Sequence, residues 1–197
     1  MSCIKDLMKN YPYHLILGSG SPRRQELLKS LGFDFAVKAI NADESFPHNL
    51  KAQEIPLYLA EKKAKAYPYQ LKDSELLITS DTIVWCDGNV LNKPADFREG
   101  KEMLNTLSGK MHQVFTAVCL KSPHKEVLFF DESKVYFKNL TNEEIEYYLH
   151  NFSPYDKAGG YGVQDWIGYI GIEKIEGSFY NVMGLPVKNL YEELIKF

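Results

Sequence analysis

Residues 15–32, with the sequence LILGSGSPRRQELLKSLG, place an apolar strand, a loop of small residues and a helix in direct succession. The run Leu-Ile-Leu predicts a buried strand end, and three leucines at helical spacing predict a helix that Gly32 ends. Ser21 suits the N-cap, where its hydroxyl accepts from a backbone N–H, and Pro22 suits the first helical position. A strand that passes directly into a helix in this way is typical of an α/β protein.

Two arginines occupy the first turn of this predicted helix. Arg23 and Arg24 oppose the helix macrodipole there, at a cost of about 0.3–1 kcal/mol each, which favours a bound anion that compensates them. The loop matches neither the GxGxxG nor the GxxxxGK[ST] pattern of known phosphate loops, so a plain strand-to-helix connection is the alternative. The residues alone leave both interpretations open.

Length and charge narrow the class of protein. The 197 residues suffice for one domain with a substantial core, or for two lobes of one, and the formal net charge of −3 argues against a general nucleic-acid or membrane surface. The three cysteines lack the spacing of a zinc site or a disulfide framework. The N-terminal residues lack the apolar core of a leader, and no apolar run approaches the ~20 residues of a membrane span. We therefore expect a soluble cytoplasmic protein without a nucleic-acid or membrane partner.

Helix and strand signals alternate along the rest of the chain, which predicts helices packed on a sheet. Capping residues, hairpin turns and Gly-rich stretches mark the boundaries. The predicted elements are a helix over 56–67, a strand over 76–85, a hairpin turn at Asp87-Gly88, a helix capped by Asp96 and Glu99 and closed at Gly109, strands over 113–121 and 127–137 joined at Ser122-Pro123, a helix capped by Thr141 and Glu144, an irregular stretch over 157–166, a strand pair near 169–177 and a helix after Pro186.

A carboxylate lies inside the apolar strand ITSDTIV. Asp81 is costly to bury as a charge unless it is paired or bound to a metal. It is either a strand-end residue satisfied by backbone N–H groups, or a Mg²⁺ ligand or base for water. Glu44, in NADES, is either a solvated loop residue or a second carboxylate of the same site. Two carboxylates suffice for a divalent cation that binds phosphates and several waters.

Two lysines are further candidates for binding phosphate. Lys63 lies in the Lys-rich helix AEKKAKAY, where a solvated face is the default interpretation. Lys93 precedes Pro94, which favours an extended backbone. Either side chain can reach phosphate oxygens as a point charge. The histidines and loop serines lack the spacing of a catalytic triad, a zinc motif or a nucleophile elbow, so metal-free nucleophilic hydrolysis is not supported.

The order of these motifs resembles that of the Maf family of nucleoside triphosphate pyrophosphatases, named for inhibition of septum formation. The resemblance implies one Maf/ITPase-like domain over 1–197, with a central mixed, twisted sheet flanked by helices as two lobes around a cleft. It also implies cleavage between the α and β phosphates with Mg²⁺ or Mn²⁺, and a homodimer. The matching stretches run from residue 15 to about residue 190 and are LILGSGSPRRQELLKSLG, DES, LAEKKAKA, SDTIVWCDGNVLNKPADFREGKEMLNTLSGKMHQVFTAV, DKAGGYGVQ and IEGSFYNVMGLP.

The same resemblance assigns roles to individual residues. Asp81 matches the proton acceptor and Glu44 the other important carboxylate, and these two are the expected metal ligands. Two positions depart from the family pattern: Lys62 stands where many members have Glu, which leaves two lysines as candidates for the site, and Gly18 stands where Ala is common. The implied phosphate-binding residues are Ser19, Arg23, Arg24, Lys63 and Lys93.

Three positions distinguish the branches of the family by nucleotide. Arg23, Thr82 and Gln164 match the branch that resembles dTTP/UTP pyrophosphatases, whereas the branch similar to 7-methyl-GTP pyrophosphatases has Trp, Gln and Glu there. The predicted function is therefore hydrolysis of dTTP and UTP, and of modified pyrimidine triphosphates. The alternatives are a 7-methyl-GTP-type pyrophosphatase and a nucleotide-sensing regulator of cell division in which hydrolysis is incidental.

Overall fold

Seven strands of the computed structural model form one mixed sheet, and the structure describes Met8 and residues 11–197. The strands are β1 (His14–Leu17), β2 (Phe35–Val37), β3 (Glu75–Cys86), β4 (Asn89–Leu91), β5 (Met111–Lys121), β6 (Glu126–Phe137) and β7 (Ile172–Glu176). Their order is β2-β1-β3-β5-β6-β7, with β4 beside β3. β1 is parallel to β2 and β3, whereas β4 is antiparallel to β3 and β7 to β6. The predicted α/β class with a central mixed sheet is confirmed.

Helices fill most of the connections between these strands. No helix in the described part of the chain combines the length and the apolar character that a bilayer crossing requires. The helices are α1 (Pro22–Ser30), α2 (Glu54–Lys65), α3 (Phe97–Leu107), α4 (Asn142–Phe152), a 3₁₀ turn (Ala158–Gly160), α5 (Trp166–Gly171), α6 (Phe179–Met183) and α7 (Val187–Lys196).

The chain divides into two compact units. The first unit comprises the described residues up to Asp81, with Thr116–Asp131 and Gly184–Phe197, and the second comprises Thr82–Phe115 and Glu132–Met183. In the first unit, α2 packs through small side chains on β1, β3 and β5, in a core of Ile16, Ala60, Ala64, Leu77, Ala117 and Cys119. In the second unit, α3, α4 and α5 share a core with β3, β5 and β6 that includes Val84, Leu104, Val114, Phe137, Ile145, Tyr148 and Ile167.

Most local signals in the sequence correspond to the observed boundaries. Asp87 and Gly88 both have positive φ, at 49° and 81°, and form the predicted two-residue turn between β3 and β4. The Asp96 side chain accepts from Glu99 N at the start of α3, and Thr141 forms a full capping box with Glu144 at the start of α4.

Two local predictions were wrong. Ser21 is the N-cap of α1, but its hydroxyl makes no capping hydrogen bond; instead Ser19 Oγ accepts from Ser21 N at 3.3 Å, within the loop that precedes the helix. The strand pair near 169–177 is a short helix followed by a single strand. There Asp165 O accepts from Gly168 N at 2.9 Å, which starts a helical turn, and the apolar Ile167 buries on its inner side.

Candidate active site

A contact between β3 and α2 places Asp81 beside Lys63. Side chains two residues apart in a strand point to the same face, so Thr79 and Asp81 face the same way on β3. Thr79 Oγ1 donates to Ala60 O at 2.6 Å, which holds this face of the strand against α2. One helical turn after Ala60, Lys63 Nζ donates to Asp81 Oδ1 at 2.6 Å.

The Lys63 ammonium lies between two carboxylates. Besides Asp81 it contacts Glu44 Oε1, at 2.9 Å. The Lys63 and Asp81 side chains are 11% and 10% exposed, whereas that of Glu44 is 46% exposed. Burial of a charge is tolerable when it is paired, and Lys63 supplies that pairing for Asp81. Lys63 therefore does not belong to a solvated face, and the default interpretation of its sequence context was wrong.

The neighbouring lysine makes different contacts. Lys62 Nζ donates to Asp43 Oδ2 at 2.8 Å and to Ser45 O at 2.8 Å, on either side of Glu44 in the chain. Successive residues of a helix project in directions about 100° apart, so only one of the two lysines can point at Asp81. Of the two candidates, Lys63 is the one that contacts the pair of carboxylates.

Arg24 links the Gly-Ser loop to neighbouring backbone. Its Nε donates to Gly184 O at 2.9 Å, and its Nη1 donates to Ser80 O at 3.0 Å and to the buried Ser19 Oγ at 3.4 Å. These contacts tie α1 to the residue that precedes Asp81. The sequence interpretation gave Arg24 a phosphate-binding role only and missed this structural one.

Charged side chains of both signs lie close to Arg24 in this loop region. Withdrawal from water lowers the pKa of Arg24, the neighbouring Asp81 and Glu44 carboxylates act in the opposite direction, and Arg23 adds to the lowering. A guanidinium remains charged in spite of such a shift, because its ordinary pKa is far above neutrality. A bound anion would stabilise both adjacent arginines, as expected for an anion site at a helix N-terminus.

Two glycines of the loop have different structural reasons for lacking a side chain. A Cβ on Gly18 would lie 2.7 Å from Ile40 Cδ1 and 2.8 Å from Thr79 Cγ2, so the protein itself fills that space. A Cβ on Gly20 would meet only Ala39 Cβ, at 3.6 Å, and Gly20 does not adopt positive φ. Neither crowding nor backbone conformation therefore requires glycine at position 20, and its missing side chain leaves room over the loop.

The remaining candidates lie in the second unit. Thr82 follows Asp81 on β3 and is half-buried, while Lys93 and Gln164 are exposed. The segment around Lys93 packs on the Gly-rich segment that leads to Gln164, because Gly159 N donates to Asn92 O at 3.0 Å. The structure thus collects Ser19, Arg23, Arg24, Glu44, Lys63 and Asp81 in the first unit, and Thr82, Lys93 and Gln164 in the second.

The carboxylates of this site suit a cation whose other ligands are water and substrate oxygens. Among the described residues, no group of three or more His, Cys, Asp or Glu side chains is arranged to hold a metal ion. Asp81 and Glu44 nevertheless converge on one positive group, the Lys63 ammonium. Mg²⁺ is commonly bound by one or two carboxylates together with water and substrate phosphates, so these two residues fit it.

Together, the mixed sheet, the two carboxylates that pair with Lys63 and the arginine-bearing loop after β1 define an α/β protein with a cluster of charged side chains beside β1 and β3. The family model described as Maf-like protein matches residues 14–197, and the chain belongs to that family.

Relatives with closely similar sequences share one name. The chain is 55% identical over 186 residues to a dTTP/UTP pyrophosphatase of Parabacteroides distasonis, covering 94% of this chain and 96% of the relative. It is 53% identical to one of Bacteroides thetaiotaomicron, covering 93% and 96%, and 52% identical to one of Porphyromonas gingivalis, covering 94% of each. Among solved structures, the Staphylococcus aureus Ham1 protein aligns with a TM-score of 0.49 at 12% identity, covering 91% of this chain and 99% of that one.

Proposed function

We propose that this protein hydrolyses dTTP and UTP between the α and β phosphates, releasing the nucleoside monophosphate and pyrophosphate. The observation that carries the proposal is the Lys63 ammonium held between Asp81 and Glu44, in the same unit as the loop that bears Arg23 and Arg24. Relatives that are 46–55% identical over nearly the whole chain and are named dTTP/UTP pyrophosphatase support the same reaction.

The cationic side chains bind the triphosphate. Arg23 and Arg24 lie at the start of α1, where backbone N–H groups also favour an anion. Each charged hydrogen bond to a phosphate oxygen contributes about 1.5–3 kcal/mol. Gly20 leaves the loop open to the approaching phosphate. Lys93, in the second unit, is the remaining lysine that the family resemblance assigns to phosphate binding.

Asp81 accepts the proton of the attacking water. The water oxygen forms the new bond to the α phosphorus, the bond from that phosphorus to the bridging oxygen breaks, and pyrophosphate leaves with the electron pair. In the protein as described, Lys63 donates to Asp81 Oδ1, and bound phosphate oxygens offer that ammonium other acceptors. Asp81 is then able to orient and deprotonate water, while Lys63 and the arginines stabilise charge on the leaving group.

A divalent cation, Mg²⁺ or Mn²⁺, is the proposed cofactor, and Asp81 and Glu44 are the residues that would hold it. When bound, such an ion neutralises phosphate charge and polarises phosphoryl oxygens. Glu44 is half-exposed and lies on the outer side of Lys63, so it is accessible to an ion that arrives with the nucleotide.

Base selection is proposed to depend on Arg23, Thr82 and Gln164. A hydroxyl and an amide both donate and accept hydrogen bonds, which suits the carbonyl and N–H edge that uracil and thymine share. A site built on such bonds rejects a base that leaves its polar groups unpaired. Modified pyrimidines that keep this edge are proposed substrates for the same reason.

A substrate panel tests the proposed function. Pyrophosphate release is measured from dTTP, UTP, CTP, GTP and 7-methyl-GTP with Mg²⁺ or Mn²⁺, and each reaction is checked for the matching monophosphate. We expect selective turnover of dTTP and UTP. Preference for 7-methyl-GTP would assign the chain to the other specificity, and no turnover by folded protein would favour a nucleotide-sensing regulator.

Three further properties stay predictions. The family likeness is the reason to expect a homodimer, which light scattering on the purified protein measures directly. The net charge of −3 is the reason to expect no nucleic-acid partner, and a cytoplasmic location is expected for an enzyme that acts on the nucleotide pool.

A further inference from the structure

Glu44 lies in a segment without regular structure. Residues 38–53 connect β2 to α2 and contain neither helix nor strand. The Asp43 side chain organises this stretch: its Oδ1 accepts from Ser45 N at 3.0 Å, and its Oδ2 accepts from the Ser45 hydroxyl. Such a turn, in which an Asp side chain replaces a backbone acceptor, is local and needs outside support to keep one orientation.

Lys62 supplies that support from α2. Its ammonium donates to Asp43 Oδ2 at 2.8 Å, Ser45 O at 2.8 Å and Ser45 Oγ at 3.2 Å. The same ammonium lies 5.9 Å from the centre of the Tyr58 ring, one helical turn earlier, which restricts the side chain further. Hydrogen bonding by Lys62 is also the main cause of the lowered pKa of Asp43.

Adjacent lysines on one helix therefore fix Glu44 in two ways. Lys63 pairs with its carboxylate at 2.9 Å, and Lys62 holds the residues immediately before and after it. Without Lys62, the two residues that flank Glu44 would lose these contacts with α2.

We propose that Lys62 is a positioning residue for hydrolysis, which holds Asp43 and Ser45 so that the Glu44 carboxylate faces Lys63 and Asp81. This inference rests on the proposed function, in which Glu44 takes part in the site. Within the described part of the chain, Lys62 contacts neither Asp81 nor the Gly-Ser loop. It therefore acts through Glu44.

A double-mutant cycle tests the proposal. The variants are Lys62→Met, Glu44→Gln and the two combined, with Lys62→Arg as the conservative variant. Lys65→Met is the matched control, because Lys65 lies on the same helix and pairs with Glu61 at 2.5 Å, away from the carboxylate pair. The measurements are kcat and KM for UTP, the Mg²⁺ concentration at half-maximal rate, and hydrogen–deuterium exchange of residues 38–53.

We expect Lys62→Met to lower kcat, or to raise the half-saturating Mg²⁺ concentration, by about threefold to tenfold, the scale of a partly exposed charge contact that orients a site residue. The same substitution should have no further effect in the Glu44→Gln background, because Lys62 acts through the Glu44 carboxylate. Exchange around 43–45 should accelerate in Lys62→Met and stay unchanged in Lys65→Met, and Lys62→Arg should restore most of the rate.

Two outcomes would overturn the inference. One is behaviour of Lys62→Met identical to that of Lys65→Met in kinetics and exchange. The other is an undiminished effect of Lys62→Met in the Glu44→Gln background, which would mean that Lys62 acts by another route. Absence of turnover in the parent protein would instead overturn the proposed function, and the exchange measurement would still decide whether Lys62 holds the segment.

Discussion

At the scale of single residues, the site depends on which charged groups pair. The sequence provides a row of lysines on α2 and two carboxylates far apart in the chain, and the structure pairs Lys63 with Asp81 and Glu44 while Lys62 pairs with Asp43. Asp81 and Glu44 therefore share one lysine, and Asp43 pairs with the other. The roles proposed for Asp81 and Arg23 differ, so substitution can test them separately.

Replacement of the strand carboxylate tests the proton acceptor. We expect Asp81→Asn to lower kcat for UTP or dTTP by about 10²–10⁴, the usual scale for loss of a general base, because an amide cannot take the proton from water. Pyrophosphate release in single-turnover and steady-state experiments measures the change. Asp73→Asn is the control, since Asp73 is exposed and pairs with His124. Unchanged turnover in Asp81→Asn would remove Asp81 from the mechanism.

Removal of one arginine tests the anion site. Arg23→Ala should weaken triphosphate binding about tenfold or more, because one charged hydrogen bond to phosphate contributes about 1.5–3 kcal/mol. The KM for UTP and the inhibition constant of free pyrophosphate are the measurements. Arg98→Ala is the matched control, since Arg98 lies on α3 and pairs with Glu102 one turn away. Kinetics equal to those of the parent would count against the phosphate-loop assignment.

The sequence singles out the residues of the candidate site, but the pairing among those residues was not predictable from it. Asp81 stands out because a charge interrupts an apolar strand, and Arg23 because a cation opens a helix. Whether Lys62 or Lys63 faces Asp81 depends on the rotation of α2 about its axis. That rotation follows from tertiary contacts such as the Thr79–Ala60 hydrogen bond, which no local pattern encodes.

At the scale of elements, the connection from β1 to α1 shows how a loop serves both packing and binding. Gly18 N donates to Ile78 O at 2.8 Å, which extends the pairing of β1 with β3 into the loop. Ile40 and Thr79 occupy the space beside Gly18, whereas Gly20 has open space beside it. A methyl group at position 18 would therefore require the Ile40 and Thr79 side chains to shift.

Alanine at the two loop glycines should give opposite phenotypes. Gly18→Ala should destabilise the fold by about 1–3 kcal/mol, because the added methyl overpacks against Ile40 and Thr79. Gly20→Ala should keep the parent stability and reduce turnover, because its methyl enters the space left for phosphate. Urea unfolding and UTP kinetics on both variants measure this, and each serves as the control for the other. Equal stability of the two variants would contradict the packing argument.

Elements whose boundaries are set by neighbouring residues in the sequence were predictable. Elements whose structure depends on tertiary contacts were not. The turn at Asp87-Gly88 and the capping box at Thr141 use residues whose preference is local. The segment near 169–177 contains β-branched and aromatic residues that favour a strand. There the turn after Asp165 and the burial of Ile167 override that preference over Trp166–Gly171, and a strand forms only from Ile172.

At the scale of the whole molecule, a buried histidine in the second unit makes the stability of the fold depend on pH. His112 is 1% exposed, and its Nε2 lies 2.7 Å from the hydroxyl oxygen of Tyr161. Its ring also contacts Phe137 edge-on, at 5.2 Å between centroids. Burial lowers the pKa of His112 from 6.5 to about 3, so folding requires the neutral imidazole.

The pH dependence of unfolding should report this histidine. Between the unfolded pKa of 6.5 and the folded value of about 3, the unfolded chain binds a proton that the folded protein does not. Stability is therefore full above pH 6.5 and falls as pH decreases through this window, with a slope of up to about 1.4 kcal/mol per pH unit from this group.

Comparison of variants isolates the contribution of this group. His112→Gln should lose most of this slope, whereas His48→Gln, at an exposed position, should retain it. Urea unfolding at a series of pH values from about 7 to about 5 gives the slopes, above the range in which Asp and Glu side chains protonate. A slope in His112→Gln equal to that of the parent would show that His112 is not the group responsible.

The boundary between the two units falls inside β3, between Asp81 and Thr82. The proposed proton acceptor and a proposed determinant of base preference are thus consecutive in the chain and belong to different units. In evolutionary terms, substitutions at Thr82 or Gln164 alter the second unit and leave the Asp81–Lys63–Glu44 contacts of the first unit in place. On the proposed assignment of roles, such a chain would acquire a new nucleotide preference by point mutation, while its descendants would inherit the hydrolytic chemistry unchanged.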